Sequence, residues 1–266
     1  IPHRKNEHLR ICLEEDVSSG LPNGFDAIRL RHKALPEIDY NAVDTSTEFL
    51  GHRLSAPILI SSMTGGSEET ARINQILAES AEAAQIALAL GSQRAGMASA
   101  KAEASFDLRR FAPSIPIFAN LGAMQITTAS GVDACRRAIE IAGADGIYIH
   151  LNALQERLQA DGDWDWRGVL AGIERVASTI GKPVLVKEVG WGIDLPTLQL
   201  LEGAGVAAVD LAGAGGTSWS QVEMYRQETE AGRRLAAGFK NWGMTTTECL
   251  QEIFQNGKPG IPVIAS

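Results

Sequence analysis

Seven short apolar runs, each leading into a polar residue and then a loop or helical stretch, constrain this chain more than any other feature. They fall near residues 57–62, 86–90, 116–120, 146–151, 183–187, 207–211 and 261–265. Their length suits buried strands rather than helices. Residues 68–84, 129–142, 167–180 and 195–203 lie between them and repeat their apolar side chains at helical spacing. Strand–helix alternation builds a parallel sheet, because parallel neighbours need a crossover connection. Eight such units close into a barrel. An open, doubly wound sheet would place a Gly-x-Gly-x-x-Gly turn after its first strand. Thr64-Gly65-Gly66-Ser67 is not such a turn. The expected fold is therefore α/β, a (β/α)8 TIM barrel lacking its last strand–helix unit within these 266 residues. Residues 1–55 are expected to form an N-terminal helix and an irregular segment covering the barrel, and residues 56–266 the barrel itself.

Polar residues recur where these strands end: Ser62, Ser92, Asn120, His150, Asn152, Lys187 and Asp210. In a parallel barrel the carboxyl ends of the strands share one mouth, where ligands bind. The richest stretch is Gly146 to Glu156. Ile147, Ile149 and Leu151 alternate with Tyr148, His150 and Asn152, so one face is apolar and the other turns polar toward its end. Gln155 and Glu156 follow at once.

The net charge of −8 argues against nonspecific nucleic-acid binding, which needs a basic surface. An acidic chain that takes an anionic ligand must gather its cations locally. Arg4, Lys5 and Arg94 are the candidates, and Arg4 shares a helix face with His8 four residues on. Cys12, Cys135 and Cys249 are far apart, which points to a reducing, cytoplasmic setting without a cysteine metal site. No apolar run approaches the ~18 residues of a membrane span.

Seven motifs occur in order: RKNEHL at 4–9, SMTGG at 62–66, GSQR at 91–94, ANLG at 119–122, HLNALQE at 150–156, VKEVG at 186–190 and AGAGGTSW at 212–219. Together they resemble the type II isopentenyl diphosphate isomerases, flavin-dependent (β/α)8 barrel enzymes. The resemblance implies redox-neutral interconversion of isopentenyl and dimethylallyl diphosphate with reduced FMN, NADPH as reductant, and Mg²⁺. It implies flavin contacts at Ser62, Met63, Thr64, Ser92, Asn120, Lys187 and Thr217. Arg4, Lys5, Ser92, Gln93, Arg94 and Gln155 match the substrate contacts, and Glu156 the metal ligand. Gln155, His150 and Asn152 match the residues beside the reacting carbons. A homo-oligomer is also implied.

The chemistry fits this division of labour. An unactivated alkene is a very weak base, so its acid must be strong, well placed and shielded from water. No side chain here is an obvious strong acid, whereas a reduced flavin offers a proton donor and an electron-rich ring. Glutamine cannot take a carbon-bound proton without a strong partner, so Gln155 is expected to orient or relay. Lys187 suits the flavin edge that carries negative charge on reduction. In the family the FMN phosphate sits on glycine-rich loops after the seventh and eighth strands. No such loop follows the seventh strand before Ser266, so FMN is expected to bind residues 1–266 weakly.

Two other readings compete. An FMN-dependent oxidoreductase of the 2-hydroxyacid oxidase type would want a histidine base and an arginine pair for a carboxylate. The Arg4-Lys5-x-x-His8 element suits a diphosphate tail instead. A non-catalytic ligand-binding or assembly subunit rests only on the absent eighth unit.

Overall fold

The computed structural model describes residues 2–62, 65–66, 68–94, 97 and 100–266, without the side chains of residues 2–4, 68, 69, 100 and 101. Helix α1 (Pro2–Glu14) opens the chain. An extended stretch follows, and strands β1 (Thr47–Phe49) and β2 (His52–Leu54) then form an antiparallel hairpin. The hairpin turns through Leu50 and Gly51 at φ of 49° and 81°. Glycine takes that left-handed backbone without strain, which a Cβ makes costly.

From residue 59 the expected alternation appears. Strand β3 (Leu59–Ile60) leads through α2 (Glu68–Ala84) to β4 (Ala87–Ala89), and α3 (Ala100–Glu103) precedes β5 (Ile117–Gly122). Next come α4 (Gly131–Ala142), β6 (Gly146–His150), α5 (Ala153–Leu158), α6 (Val169–Thr179), β7 (Val184–Lys187), α7 (Leu195–Gly203) and β8 (Ala208–Asp210). The described residues form one seven-stranded parallel sheet in the order β3-β4-β5-β6-β7-β8-β9, with β9 at Val263–Ile264. All seven strands lie where the sequence places them. Sequential order in one curled parallel sheet is the arrangement of a (β/α)8 barrel.

Strand periodicity sorts the core. Ile117, Ala119, Leu121, Ile147, Ile149, Val184, Val186 and Val209 face outward and pack under the helices. Ala87, Ala89, Phe118, Tyr148, Leu185 and Ala208 face inward. Leu54 joins that inner cluster, with Phe49 and Leu50 against it, so the β1–β2 hairpin plugs the inside of the sheet. Phe118 meets Phe49 and Tyr148 edge to face, with centroids 5.9 Å apart in each case.

Between β8 and β9 the chain forms α8 (Trp219–Arg226), α9 (Glu230–Ala237) and α10 (Thr246–Asn256), none of which the sequence reading assigned. The start of α10 has a local cause. Thr245 accepts from the Glu248 N–H, and the Glu248 carboxylate accepts from the Thr245 N–H, a reciprocal cap. Helices α8 and α9 are eight residues each, too short for periodicity to stand out. Helix α1, through Ile11, and the segment after it, through Val17, lie on Val222 and Trp219 of α8, which brings the amino terminus to the mouth.

Helix α6 packs so closely on the turn at Ala123–Ile126 that a Cβ on Gly172 would stand 2.6 Å from the Ile126 carbonyl oxygen. Arg175, one turn further, donates to the Ile126 and Thr128 carbonyls at 2.7 and 3.0 Å. Backbone on both sides leaves nothing to yield. Gly172→Ala is expected to destabilise the fold by ~1–3 kcal/mol. Urea denaturation would show this as a lower midpoint with an unchanged slope.

Candidate active site

The polar residues do converge at the carboxyl ends of the strands. Asn120, on β5, is buried and donates its amide N–H to Ser62 Oγ at 2.8 Å. With the amide so oriented, Asn120 Oδ1 accepts from His150 Nδ1 at 2.7 Å. The ends of β3, β5 and β6 are thus tied by one side-chain chain, Ser62–Asn120–His150. Burial, then the Lys187 and Lys5 ammonium groups, hold His150 down to about 3. The ring enters the site neutral, with its proton on Nδ1, and not as a diphosphate-binding cation.

Lys187 ends β7, pairs in register with His150 on one side and Asp210 on the other, and is buried. Its ammonium donates to the Glu188 carbonyl. The Glu188 carboxylate accepts three backbone N–H groups, from Val189, Gly190 and Trp191, at 2.6–2.7 Å. Burial nevertheless pushes it up to about 7.

Helix α1 delivers Lys5 to the same mouth. Its ammonium donates to the Ser92 carbonyl at 2.7 Å and to the Gly65 carbonyl, and lies 5.4 Å from the centre of the Phe106 ring. Arg94 stands at the rim, 3.5 Å from the Asp163 carboxylate. Arg4 belongs to α1, but its side chain lies outside the described residues, as do Met63 and Thr64.

A second cluster surrounds the short helix α5, whose N-cap is Asn152. The Asn152 amide donates to Glu156 Oε1 at 3.0 Å and to Gln155 Oε1 at 3.3 Å. The second Glu156 oxygen accepts from the Asp163 N–H at 2.9 Å. Glu156 is buried, and its neighbour Arg157 stacks on Trp164 instead of pairing with it. Gln155 donates to Glu223 Oε1 at 3.0 Å.

Glu223, on α8, carries no signal in the sequence. It is fully buried, yet its carboxylate meets His8 Nε2 at 3.3 Å, Gln159 Nε2 at 2.7 Å and Arg226 Nη1 at 2.6 Å. Burial opposes its charge, but the hydrogen bond and charge of His8, Gln155 and Arg226 prevail and hold it at about 2. In sequence Glu223 reads as one half of an ordinary i, i+3 surface pair with Arg226. Only the docking of α1 on α8 shows that it anchors both Gln155 and His8.

One expectation changes. Gln93 does not reach into the mouth. Its buried amide donates to the Ala138 carbonyl at 2.9 Å and accepts from the Asn120 N–H at 3.0 Å, so it braces β4 against β5 and α4. The glycine-rich loop after β8 is closely packed. A Cβ on Gly213 would stand 2.4 Å from the Thr246 nitrogen, and one on Gly215 2.3 Å from the Asn23 Cα. Only Gly216 is open, beside exposed Thr217, which bridges to Ser18. Ser92 lies at the mouth through its carbonyl, which Lys5 holds.

The donor set fits a flavin: a hydroxyl, an amide and a neutral imidazole beside a single buried ammonium suit a planar ring with mixed donors and acceptors and one anionic edge. For a metal the fit is narrower. Among the described residues no group of three or more acidic, histidine or cysteine side chains could hold an ion. Glu156 alone could serve, with phosphate oxygens and water completing the shell. Among the described residues no helix is long and apolar enough to cross a membrane.

The chain is a parallel α/β barrel with a polar mouth at its strand ends. Residues 16–116 match the FMN-dependent dehydrogenase family. Among solved structures, a Pediococcus acidilactici lactate oxidase aligns over 88% of this chain and 72% of its own, with a TM-score of 0.55 at 14% identity. A chimeric (S)-mandelate dehydrogenase aligns over 84% and 72%, with a TM-score of 0.56 at 16% identity. At those identities the likeness shows the fold. More specific are the isopentenyl-diphosphate delta-isomerases. That of Nostoc sp. is 46% identical over 264 residues, 99% of this chain and 75% of the relative. That of Xanthobacter autotrophicus is 48% identical over 265 residues, 99% of this chain and 77% of the relative. The chain belongs to the isopentenyl-diphosphate delta-isomerase family.

Proposed function

We propose that this protein is an FMN-dependent isopentenyl-diphosphate delta-isomerase, moving a double bond between isopentenyl and dimethylallyl diphosphate for isoprenoid synthesis. The observation that carries the reading is the seating of α1. Through Lys5 on Ser92 and His8 on Glu223, the amino terminus brings a cation and a carboxylate-bound histidine to the strand ends. A barrel that oxidises hydroxy acids has no need of such an element, and a diphosphate tail does.

The roles divide by position. Lys5 and Arg94 hold the diphosphate, with Arg4 on the same helix, and Arg94 exchanges Asp163 for a phosphate oxygen. Gln93 acts behind them by fixing Asn120. Ser62, Asn120, Lys187, Thr217 and the Ser92 backbone line the flavin side, with Met63 and Thr64 in the same loop by their motif. When bound, reduced FMN supplies the proton-donating nitrogen and electron-rich ring that an unactivated alkene requires. Lys187 sets a positive charge against the ring's anionic edge. His150 stays neutral and, through Asn120, holds the wall of the pocket in place. Gln155 lies beside the reacting carbons with its amide pinned between Asn152 and Glu223; a carboxylate held at about 2 is a weak base, so Glu223 orients the amide and takes no proton from it. Glu156 holds Mg²⁺, which neutralises the diphosphate; Asn152 and the Asp163 N–H aim its carboxylate. NADPH serves as reductant. Solvent-exposed Leu30, Leu35, Ile38 and Tyr40 along the extended stretch support a homo-oligomer, and a cytoplasmic setting suits three unpaired cysteines.

The test is turnover of isopentenyl diphosphate by the purified protein with saturating FMN, NADPH and Mg²⁺. Dimethylallyl diphosphate should form without net consumption of NADPH. Oxidation of 2-hydroxy acids in place of isomerisation would overturn the reading and favour the oxidoreductase.

A further inference from the structure

Below Lys187 lies a carboxylate that the isomerisation chemistry does not call for. Asp210 ends β8, is 0% exposed, and sits in register beside Lys187 on the adjacent strand. One of its oxygens accepts from the Ser266 hydroxyl. The other is buried without a hydrogen-bond partner, as is the hydroxyl of Tyr148 on β6, which feels the Asp210 charge. A buried anion with a free oxygen is costly unless a cation compensates it. Burial pushes Asp210 above its ordinary range, and the charge of Lys187, in register on the adjacent strand, is the strongest influence against that.

We propose that Asp210 is a positioning residue that holds Lys187 as an ammonium at the mouth of the sheet, and thereby fixes the charge offered to the bound ring. The second half of this inference rests on the flavin reading of the site; the first half does not. Lys187 needs such help. Burial pulls it down from its ordinary value, and only Asp210 and then Glu188 oppose that. The remaining groups that face it work the other way or not at all. His150, across on β6, is itself held neutral partly by Lys187 and by Lys5 from α1. Tyr148 is driven well above its usual range, first by burial and then by Asp210, so it carries no charge. The Glu188 carboxylate is turned onto three backbone N–H groups of its own loop. Asp210 is therefore the counter-ion that decides the charge of Lys187.

The test follows lysine 13Cε resonances in the flavin-free protein as pH is raised, with the Lys187 signal assigned by Lys187→Met. In Asp210→Asn the Lys187 titration midpoint should fall by about one pH unit or more. The unaltered protein provides a check that does not depend on the variant folding, because its Lys187 signal should show a second, smaller step where Asp210 itself titrates. An identical Lys187 midpoint in both proteins, or a single-step curve in the unaltered one, overturns the proposal. With FMN bound and reduced, the absorption spectrum reads the consequence. The reduced ring should stay anionic to lower pH in the unaltered protein than in Asp210→Asn. A shifted lysine titration with no bound-flavin spectrum even at saturating FMN would retain the Asp210–Lys187 coupling and overturn the flavin reading alone.

Discussion

Replacing Glu223 by alanine is expected to destabilise the protein by ~3–5 kcal/mol, because it strands buried partners of a carboxylate. Arg226, His8, Gln155 and Gln159 all converge on that group, and Glu223 itself is inaccessible to solvent. The loss should reach function through Gln155, whose amide is left without its anchor, and through α1, which loses the His8 contact. Glu223→Gln keeps the shape and removes the charge, so it separates the two effects. Its kcat should fall more than its KM rises if Gln155 acts at the reacting carbons. The pH dependence gives an independent check. Glu223 is held at about 2, below its ordinary 4.5. A carboxyl lowered on folding stabilises the fold fully above pH 4.5, and that contribution fades as pH falls toward 2. The amount is ~3 kcal/mol. Denaturant titrations across that window should show the loss in the unaltered protein and much less of it in Glu223→Gln. An equal acid loss in both would show that some other carboxylate carries it.

Glu156→Gln is expected to weaken Mg²⁺ by ~100-fold or more while leaving FMN affinity where it was. The substitution removes the anion and one of two acceptors. Asn152 Nδ2 and the Asp163 N–H both donate to this carboxylate, so the new amide must turn an N–H toward one of them. That conflict costs about 1–3 kcal/mol by itself. Thermal denaturation in the absence of Mg²⁺ measures this part alone. Mg²⁺ titrations of turnover, set beside FMN fluorescence quenching, measure the rest. An unchanged Mg²⁺ requirement would remove Glu156 from the metal site, whatever its effect on stability.

The seven strands and their order were legible because each is an apolar run closed by a loop. The helices α2, α4, α6 and α7 were legible because they are long or regular enough to show their spacing. Helices α8, α9 and α10 were not read, although Thr245 and Glu248 spell the cap of α10 in the sequence itself. The site was legible as a set of strand-end residues. It was not legible as a set of contacts: Gln93 and Asn120 both stand at strand ends, yet one faces a helix and the other the mouth.

What the sequence by itself determined is which face each strand residue takes. Ile147 and Ile149 lie under the helices and Tyr148 lies inside, because successive side chains of a strand point to opposite faces. It also determined that Ser62, Asn120, His150 and Lys187 would meet, since parallel strands with helical crossovers share one carboxyl-terminal end. Only the tertiary structure decided the protonation of these groups and their partners. His150 is neutral first because its ring is buried, and then because two ammonium groups from distant segments, Lys187 and Lys5, close on it. Glu223 stays charged against burial because His8, brought by α1 from more than two hundred residues earlier, joins Gln155 and Arg226 around it. Periodicity carries information over a turn or a strand. The charge of a buried group depends on distances of a few ångströms between segments far apart in sequence, and those exist only once the sheet has curled and α1 has docked on α8.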